Sequence, residues 1–144
     1  MGRKLHNGRT ELRMAGLKRL RDAQALLSSG PAHSQGAMYL AGYAIECKLK
    51  AIAMEVYDCW TLDELARKWR VETRDVYDHR LERLAKRLPL YGRFQESEVW
   101  RLFAGVVNRW QPSWRYSPAD RPRADAEGFL GAVWSVWEWL GSNN

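Results

Sequence analysis

The sequence predicts an all-α protein, on three observations. From Ser34 to Val56, the residues Ala37, Ala41, Ile45, Leu49, Ile52 and Val56 recur three or four positions apart, which at about 3.6 residues per turn draws one apolar stripe along a helix. Similar stripes occur before and after it, and no stretch alternates apolar and polar residues as a half-buried strand would. Pro31, Pro89 and Pro112 fall between the stripes, where helices stop.

Composition narrows the class. A chain of 144 residues with 46% hydrophobic content suits one folded unit, residues 1–144. No apolar run approaches the roughly 20 residues that span a bilayer, and the opening MGRKLHNGRTELR has no apolar segment of signal-peptide type. No membrane partner is therefore expected, and a cytoplasmic location is. Cys47 and Cys59 form no CxxC, and no His stands at metal-ligand spacing, so no metal or cofactor is expected and Cys47 reads as a buried reduced thiol. A net charge of +6 and a pI near 9.6 make nucleic acid a reasonable partner, although 17 acidic residues among 23 basic ones also suit plain helix solvation. Eight Trp residues point to self-association, because Trp is enriched at interfaces.

Residues 1–8 begin basic and patternless and read as a flexible arm. Thr10 is placed to cap a first helix whose Leu12, Gly16, Leu20, Ala23 and Leu27 share a face, and Ser28-Ser29-Gly30-Pro31 ends it. The short loop with His33 makes this helix an antiparallel hairpin with the next. After Val56 the chain breaks at residues 57–60, and Thr61-Leu62-Asp63-Glu64 has the form of a capping box opening a short helix with Leu62, Leu65, Ala66 and Trp69. Residues 70–77 are undecided, and a small two-helix unit of DNA-reading type is conceivable there, without its usual Gly. Asp78 is placed to cap a helix that buries Leu81, Leu84, Ala85 and Leu88, exposes Arg80, Arg83, Lys86 and Arg87, and ends at Pro89. Residues 91–95 read as a turn. Val99, Leu102, Phe103, Val106 and Trp110 then make another amphipathic helix that stops before Pro112. The Pro-rich segment PSWRYSPADRPR reads as an ordered loop or lid, and a last helix over residues 125–140 turns Phe129, Val133, Val136, Trp137 and Leu140 inward, with Trp134 and Trp139 off that stripe.

The central helix carries a second stripe, Tyr39, Tyr43, Glu46 and Lys50, beside small Ala41, Gly42 and Ala44. A helix packed on more than one side accounts for it, with the stripe either a bundle-internal polar network or the wall of a nucleotide pocket. The run AMYLAGYAIECKLKA, with Ala41, Tyr43, Glu46, Leu49 and Lys50, resembles the signature helix of the HEPN family (higher eukaryotes and prokaryotes nucleotide-binding). His79-Arg80-Leu81 is similar to that family's His-x-Leu helix start, and Trp114-Arg115-Tyr116-Ser117-Pro118 to its Arg-Tyr segment before the last helix. The resemblance implies an up-and-down helical bundle of HEPN type, here with a short inserted helix and a Pro-rich loop before the C-terminal helix. It further implies a homodimer that binds nucleotide, RNA or a nucleotidyltransferase-type antitoxin in a defence or toxin–antitoxin setting. Tyr43, Glu46, Lys50, Arg80, Arg83, Arg115 and Tyr116 are the candidate binding residues.

Many members of that family are metal-independent ribonucleases with an Arg and a His four to six residues apart, and the resemblance offers Arg74 and His79 as such a pair. His could move the 2′-hydroxyl proton near neutral pH, and Arg could steady charge on the phosphate. The Asn that commonly follows the catalytic Arg is Asp75 here, and a carboxylate there would repel phosphate. His79 also suits a structural role, bonded to a loop carbonyl or to Glu82. Arg115 and Tyr116 read equally as a phosphate-and-base contact or, with Trp114, as the cover of the core with Arg115 paired to Glu46.

Overall fold

The structure, a computed structural model, describes residues 8–76 and 78–144. The expected arm lies outside the described residues apart from Gly8, which is buried and is the N-cap of α1 (Arg9–Ser28). Thr10 therefore sits inside the first turn and caps nothing. Tertiary contacts fix the start instead: the Arg9 amide donates to the Trp60 carbonyl at 3.2 Å, and the Arg9 guanidinium lies 3.8 Å over the Trp60 ring.

Leu12, Gly16, Leu20, Ala23 and Leu27 of α1 are buried, as their spacing predicts. Gly30 at φ 128 and Pro31, which opens a 3₁₀ turn over Pro31–His33, reverse the chain into α2 (Ser34–Val56). Two long helices packed together through so short a link form an antiparallel hairpin. α2 is unbroken, and 16 of its 23 residues are buried, more than one amphipathic face supplies, so neighbours enclose it. Val56, expected in the buried stripe, is 45% exposed because the chain turns away there at Tyr57.

α3 (Leu62–Trp69) starts as its capping box predicts. Thr61 Oγ1 accepts from the Glu64 amide at 3.1 Å, while the Glu64 carboxylate accepts from the Trp60 amide at 2.8 Å, one residue ahead of the cap. Residues 70–77 resolve into a left-handed Arg70 (φ 55) and a single turn, α4 (Thr73–Val76), with Tyr77 outside the described residues. Four residues make no reading helix, so the DNA-binding alternative falls. α5 (Leu81–Lys86) begins later than a cap at Asp78 requires. Asp78 Oδ1 takes the Arg80 amide at 3.0 Å in a local turn, and the Arg80 and Arg83 guanidinium groups lie at 3.4 and 3.3 Å from its carboxylate.

Two further expectations are corrected. Residues 91–95 are not a bare turn but lie in α6 (Tyr91–Glu96), whose Phe94 is held among Trp100, Phe103 and Trp139 with ring centroids 5.3, 4.8 and 5.0 Å away. One buried residue in so short a helix leaves no period to read. The helix expected to run through Trp110 is α7 (Trp100–Gly105) alone; Val106 leaves helical geometry, a 3₁₀ turn follows over Val107–Arg109, and Trp110 is extended at ψ 139. The Pro-rich loop contains another 3₁₀ segment, Pro112–Tyr116, before α8 (Arg123–Asn143).

α8 packs on both α1 and α2 and runs in the direction of α2, since Met38 and Phe129 line one recess and Lys48 and Gly141 another. The fold is thus all-α: among the described residues there are three long helices and five short ones, of which α3 and α5 pack directly on α2. Among the described residues there is no strand, and no helix is long and apolar enough to cross a membrane. Cys47 and Cys59 are buried and free.

The segment from residue 107 to residue 120 is strapped onto the first turns of α2. The Trp110 Nε1–H donates to the Tyr39 carbonyl at 2.9 Å, Gln35 Nε2 donates to the Trp114 carbonyl at 3.0 Å, and the Gln35 amide donates to Asp120 Oδ1 at 3.3 Å. The indole of Trp110 lies directly on Gly42, where a Cβ would overlap its five-membered ring. Gly42→Ala should therefore destabilise the fold by about 1–3 kcal/mol through overpacking, although Ala is the better helix former. Urea denaturation checks this, and an unchanged or raised midpoint would show that the strap yields without cost.

Candidate functional site

Glu46 and Lys50 stand one turn apart on α2, each side chain only 4% exposed, with Lys50 Nζ donating to Glu46 Oε2 at 3.1 Å. The other carboxylate oxygen, Oε1, lies 2.7 Å from Nδ1 of His79, whose side chain is 51% exposed. His79 is therefore bonded neither to a loop carbonyl nor to Glu82. Nor is Arg115 paired to Glu46, since Lys50 and His79 face the carboxylate while the Arg115 guanidinium donates to the Tyr116 hydroxyl at 2.6 Å. Of the two readings of this stripe, the packing gives Glu46 and Lys50 the buried ionic network, with His79 as its outlet to solvent.

Tyr43 lies half-buried one turn before Cys47, and both groups titrate high. Burial, followed by Cys47 and Glu46, pushes the Tyr43 hydroxyl up to about 12; burial, followed by Glu46, pushes the Cys47 thiol up to about 11. Tyr39 stacks between Tyr43 and Trp110, with centroids 6.3 and 6.0 Å away.

Above this network opens a cavity of about 720 Å³ between the start of α5 and residues 108–113 of the strap. His79, Arg80, Arg83, Lys86, Arg109 and Trp110 are among its lining residues. A reciprocal pair joins the two walls: the Glu82 amide donates to Asn108 Oδ1 at 3.2 Å, and Asn108 Nδ2 donates to the Glu82 carboxylate at 3.3 Å. Behind the cavity Asp78 steadies Arg80 and Arg83. Burial opposes ionisation of Asp78, but the Arg80 amide and both guanidinium groups outweigh it and hold the carboxyl below its ordinary range. Arg109 makes no ion pair among the described residues, and it also lines a second recess of about 400 Å³ with Met38, Trp114, Arg121 and Phe129.

The candidate residues thus divide. His79, Arg80 and Arg83 share the cavity; Glu46 and Lys50 lie beneath it, and Tyr43 lies one turn of α2 before Glu46. Arg115 and the 72%-exposed Tyr116 sit farther along the strap and do not line it. Arg74 does not line it either: its side chain is 82% exposed and lies 3.6 Å from Glu72. Trp114 alone of its segment covers core, 5.4 Å from the Phe129 ring. Arg109 and Trp110 escaped the sequence reading because an apolar period carried through Val106 to Trp110 and disguised the strap as helix. Among the described residues no group of His, Cys, Asp and Glu is arranged to hold a metal ion. No protein-family model, curated protein or solved structure matches the chain.

Two outcomes follow from the buried groups. Glu46→Ala takes from the buried Lys50 its carboxylate and should cost about 3–5 kcal/mol, read by urea denaturation. Cys47 has a folded pKa of about 11 against 9.0 for an ordinary thiol, so the native state keeps its proton where the unfolded state has lost it. That stabilisation is full below pH 9.0 and is lost as pH rises towards about 11. Cys47→Ala should flatten the fall in denaturation midpoint over that window, and an equal fall in both proteins would assign it elsewhere.

Proposed function

We propose that this chain is a HEPN-type helical module that binds the phosphates of a nucleotide or RNA in the cavity between α5 and the strap. One observation carries this reading: Arg80, Arg83, Lys86 and Arg109 converge with His79 on one concave site in which Glu82 is the acidic lining residue. A concave wall of guanidinium groups matches phosphate oxygens in charge and in fork geometry. The indole of Trp110 and the ring of Pro112 add apolar surface to the lining. The resemblance adds a homodimer and a nucleotidyltransferase-type antitoxin to this reading, and sedimentation at high concentration tests the dimer, a 16.8 kDa species contradicting it.

A second reading, a metal-independent ribonuclease, is favoured by the contact between His79 and the buried Glu46 carboxylate. In that reading His79 is the proton-transfer group. The cation beside the phosphate is Arg109 in preference to Arg74, because Arg109 lines the cavity that His79 lines.

Fluorescence anisotropy with labelled RNA separates these roles. Arg109→Ala should weaken binding on the order of tenfold and reduce its salt dependence, while Arg74→Ala leaves both unchanged. Equal losses in the two variants would move the site off the cavity. With EDTA present, cleavage that falls by about 10²–10⁴-fold in His79→Ala would establish the ribonuclease, and RNA left intact at high protein concentration would overturn it.

A further inference from the structure

We propose that Glu46 is a positioning residue: it locks the neutral imidazole of His79 with the proton on Nδ1, so that the nitrogen offered to the cavity is an unprotonated Nε2. The inference rests on the His79 cavity and deepens the ribonuclease reading, in which that nitrogen is the base.

A Glu and a Lys one turn apart support a helix equally well on its surface, where they keep their hydration. Here both are buried, at a desolvation cost that their mutual attraction rarely exceeds. What burial adds is a carboxylate with one oxygen engaged by Lys50 and the other facing a single half-exposed imidazole. A carboxylate has only lone pairs to present, and at 2.7 Å a bare Nδ1 lone pair would face a second one. The proton therefore lies on Nδ1 and is donated to Oε1. The neutral ring then has its free lone pair on Nε2, the tautomer that a histidine side chain in water favours less.

The ring lines the basic cavity while its Nδ1 edge is turned to α2. Nε2 is then the nitrogen placed to take a proton from a group in the cavity, while the Glu46 carboxylate holds the ring in orientation through Nδ1. Given a ribose 2′-hydroxyl in the cavity, Nε2 takes its proton while O2′ bonds to the adjacent phosphorus. The P–O5′ bond breaks, and the imidazolium returns the proton to the departing O5′, so that a 2′,3′-cyclic phosphate and a 5′-hydroxyl result with no other reactant. Arg109 is the cation placed to share the phosphate charge.

The tautomer is measurable without RNA. In a long-range ¹H–¹⁵N spectrum of the ¹⁵N-labelled chain at about pH 8, His79 should show a protonated Nδ1 and an unprotonated Nε2, unlike exposed His33, which should favour the Nε2–H form as free histidine does. An Nε2–H or averaged pattern at His79 like that of His33 overturns the inference. Glu46→Gln, with Glu46→Asp as the variant that keeps the charge, supplies the second readout. In a folded Glu46→Gln protein kcat for RNA should fall on the order of 10- to 100-fold with KM little changed, and Glu46→Asp should recover part of it. An unchanged kcat there overturns the positioning role. Absence of cleavage by the wild-type chain sinks the ribonuclease reading alone, because the His79 spectrum still decides the proton's place.

Discussion

A carboxylate with 4% of its side chain exposed has to be neutralised, and the arrangement around Glu46 follows from that requirement. Lys50, one turn along, supplies a charge but only one of the bonds the carboxylate can accept. The second comes from His79, 33 residues farther along the chain. That bond ties the extended residues before α5 to the middle of α2, so the wall bearing Arg80 and Arg83 is held by an electrostatic tie as well as by the buried Leu81, Leu84 and Ala85. α5 has six residues and buries three of them, and tertiary packing of this kind supplies most of the stability of so short a helix.

The opposite wall is fixed by shape. Gly42 presents no side chain, and the Trp110 indole fills that space, its N–H taken by a carbonyl of the same helix. A large aromatic seated this way sets both the distance and the direction of the strap. Arg109 is the neighbour of that anchor, so the seat that holds Trp110 also brings a cation to the cavity edge. Glu82 and Asn108 then join the walls to each other. One helix thereby positions both sides of the cavity, through a charge at Glu46 and through a missing side chain at Gly42.

How legible this was depended on whether the determining contact lay within one element. The α1–α2 hairpin, the capping box at Thr61 and the inward stripe of α8 are local patterns, and the structure keeps them, with α8 two residues earlier and three later than its period predicts. The enclosed polar stripe was legible too, because Tyr43, Glu46 and Lys50 beside Ala41 and Gly42 suit no solvent-facing helix. The partner of Glu46 was not, since nothing local distinguishes His79 from Arg115 as its acceptor's mate. The strap was hidden for a similar reason: Val99, Leu102, Phe103, Val106 and Trp110 satisfy a helical period although the last of them is pulled out of helix by a seat on α2. The cap at Thr10 was displaced by contacts with Trp60, some fifty residues away.

The fate of Arg74 shows why spacing alone is a weak guide to a site. Helical geometry brings residues three or four positions apart onto one face, and an Arg and a His five positions apart are not so placed even in an unbroken helix. Here α4 ends at Val76 among the described residues, Asp78 closes a local turn onto the Arg80 amide, and α5 starts only at Leu81. No helical period joins Arg74 to His79, and the exposed Arg74 guanidinium lies 3.6 Å from the Glu72 carboxylate at the surface. Arg109 by contrast reaches the cavity from the strap, its position set by Trp110 and not by its distance in sequence from His79. The chemistry proposed for this site asks for an Arg and a His around one phosphate, and two separate contacts with α2 bring Arg109 and His79 to the lining of one cavity.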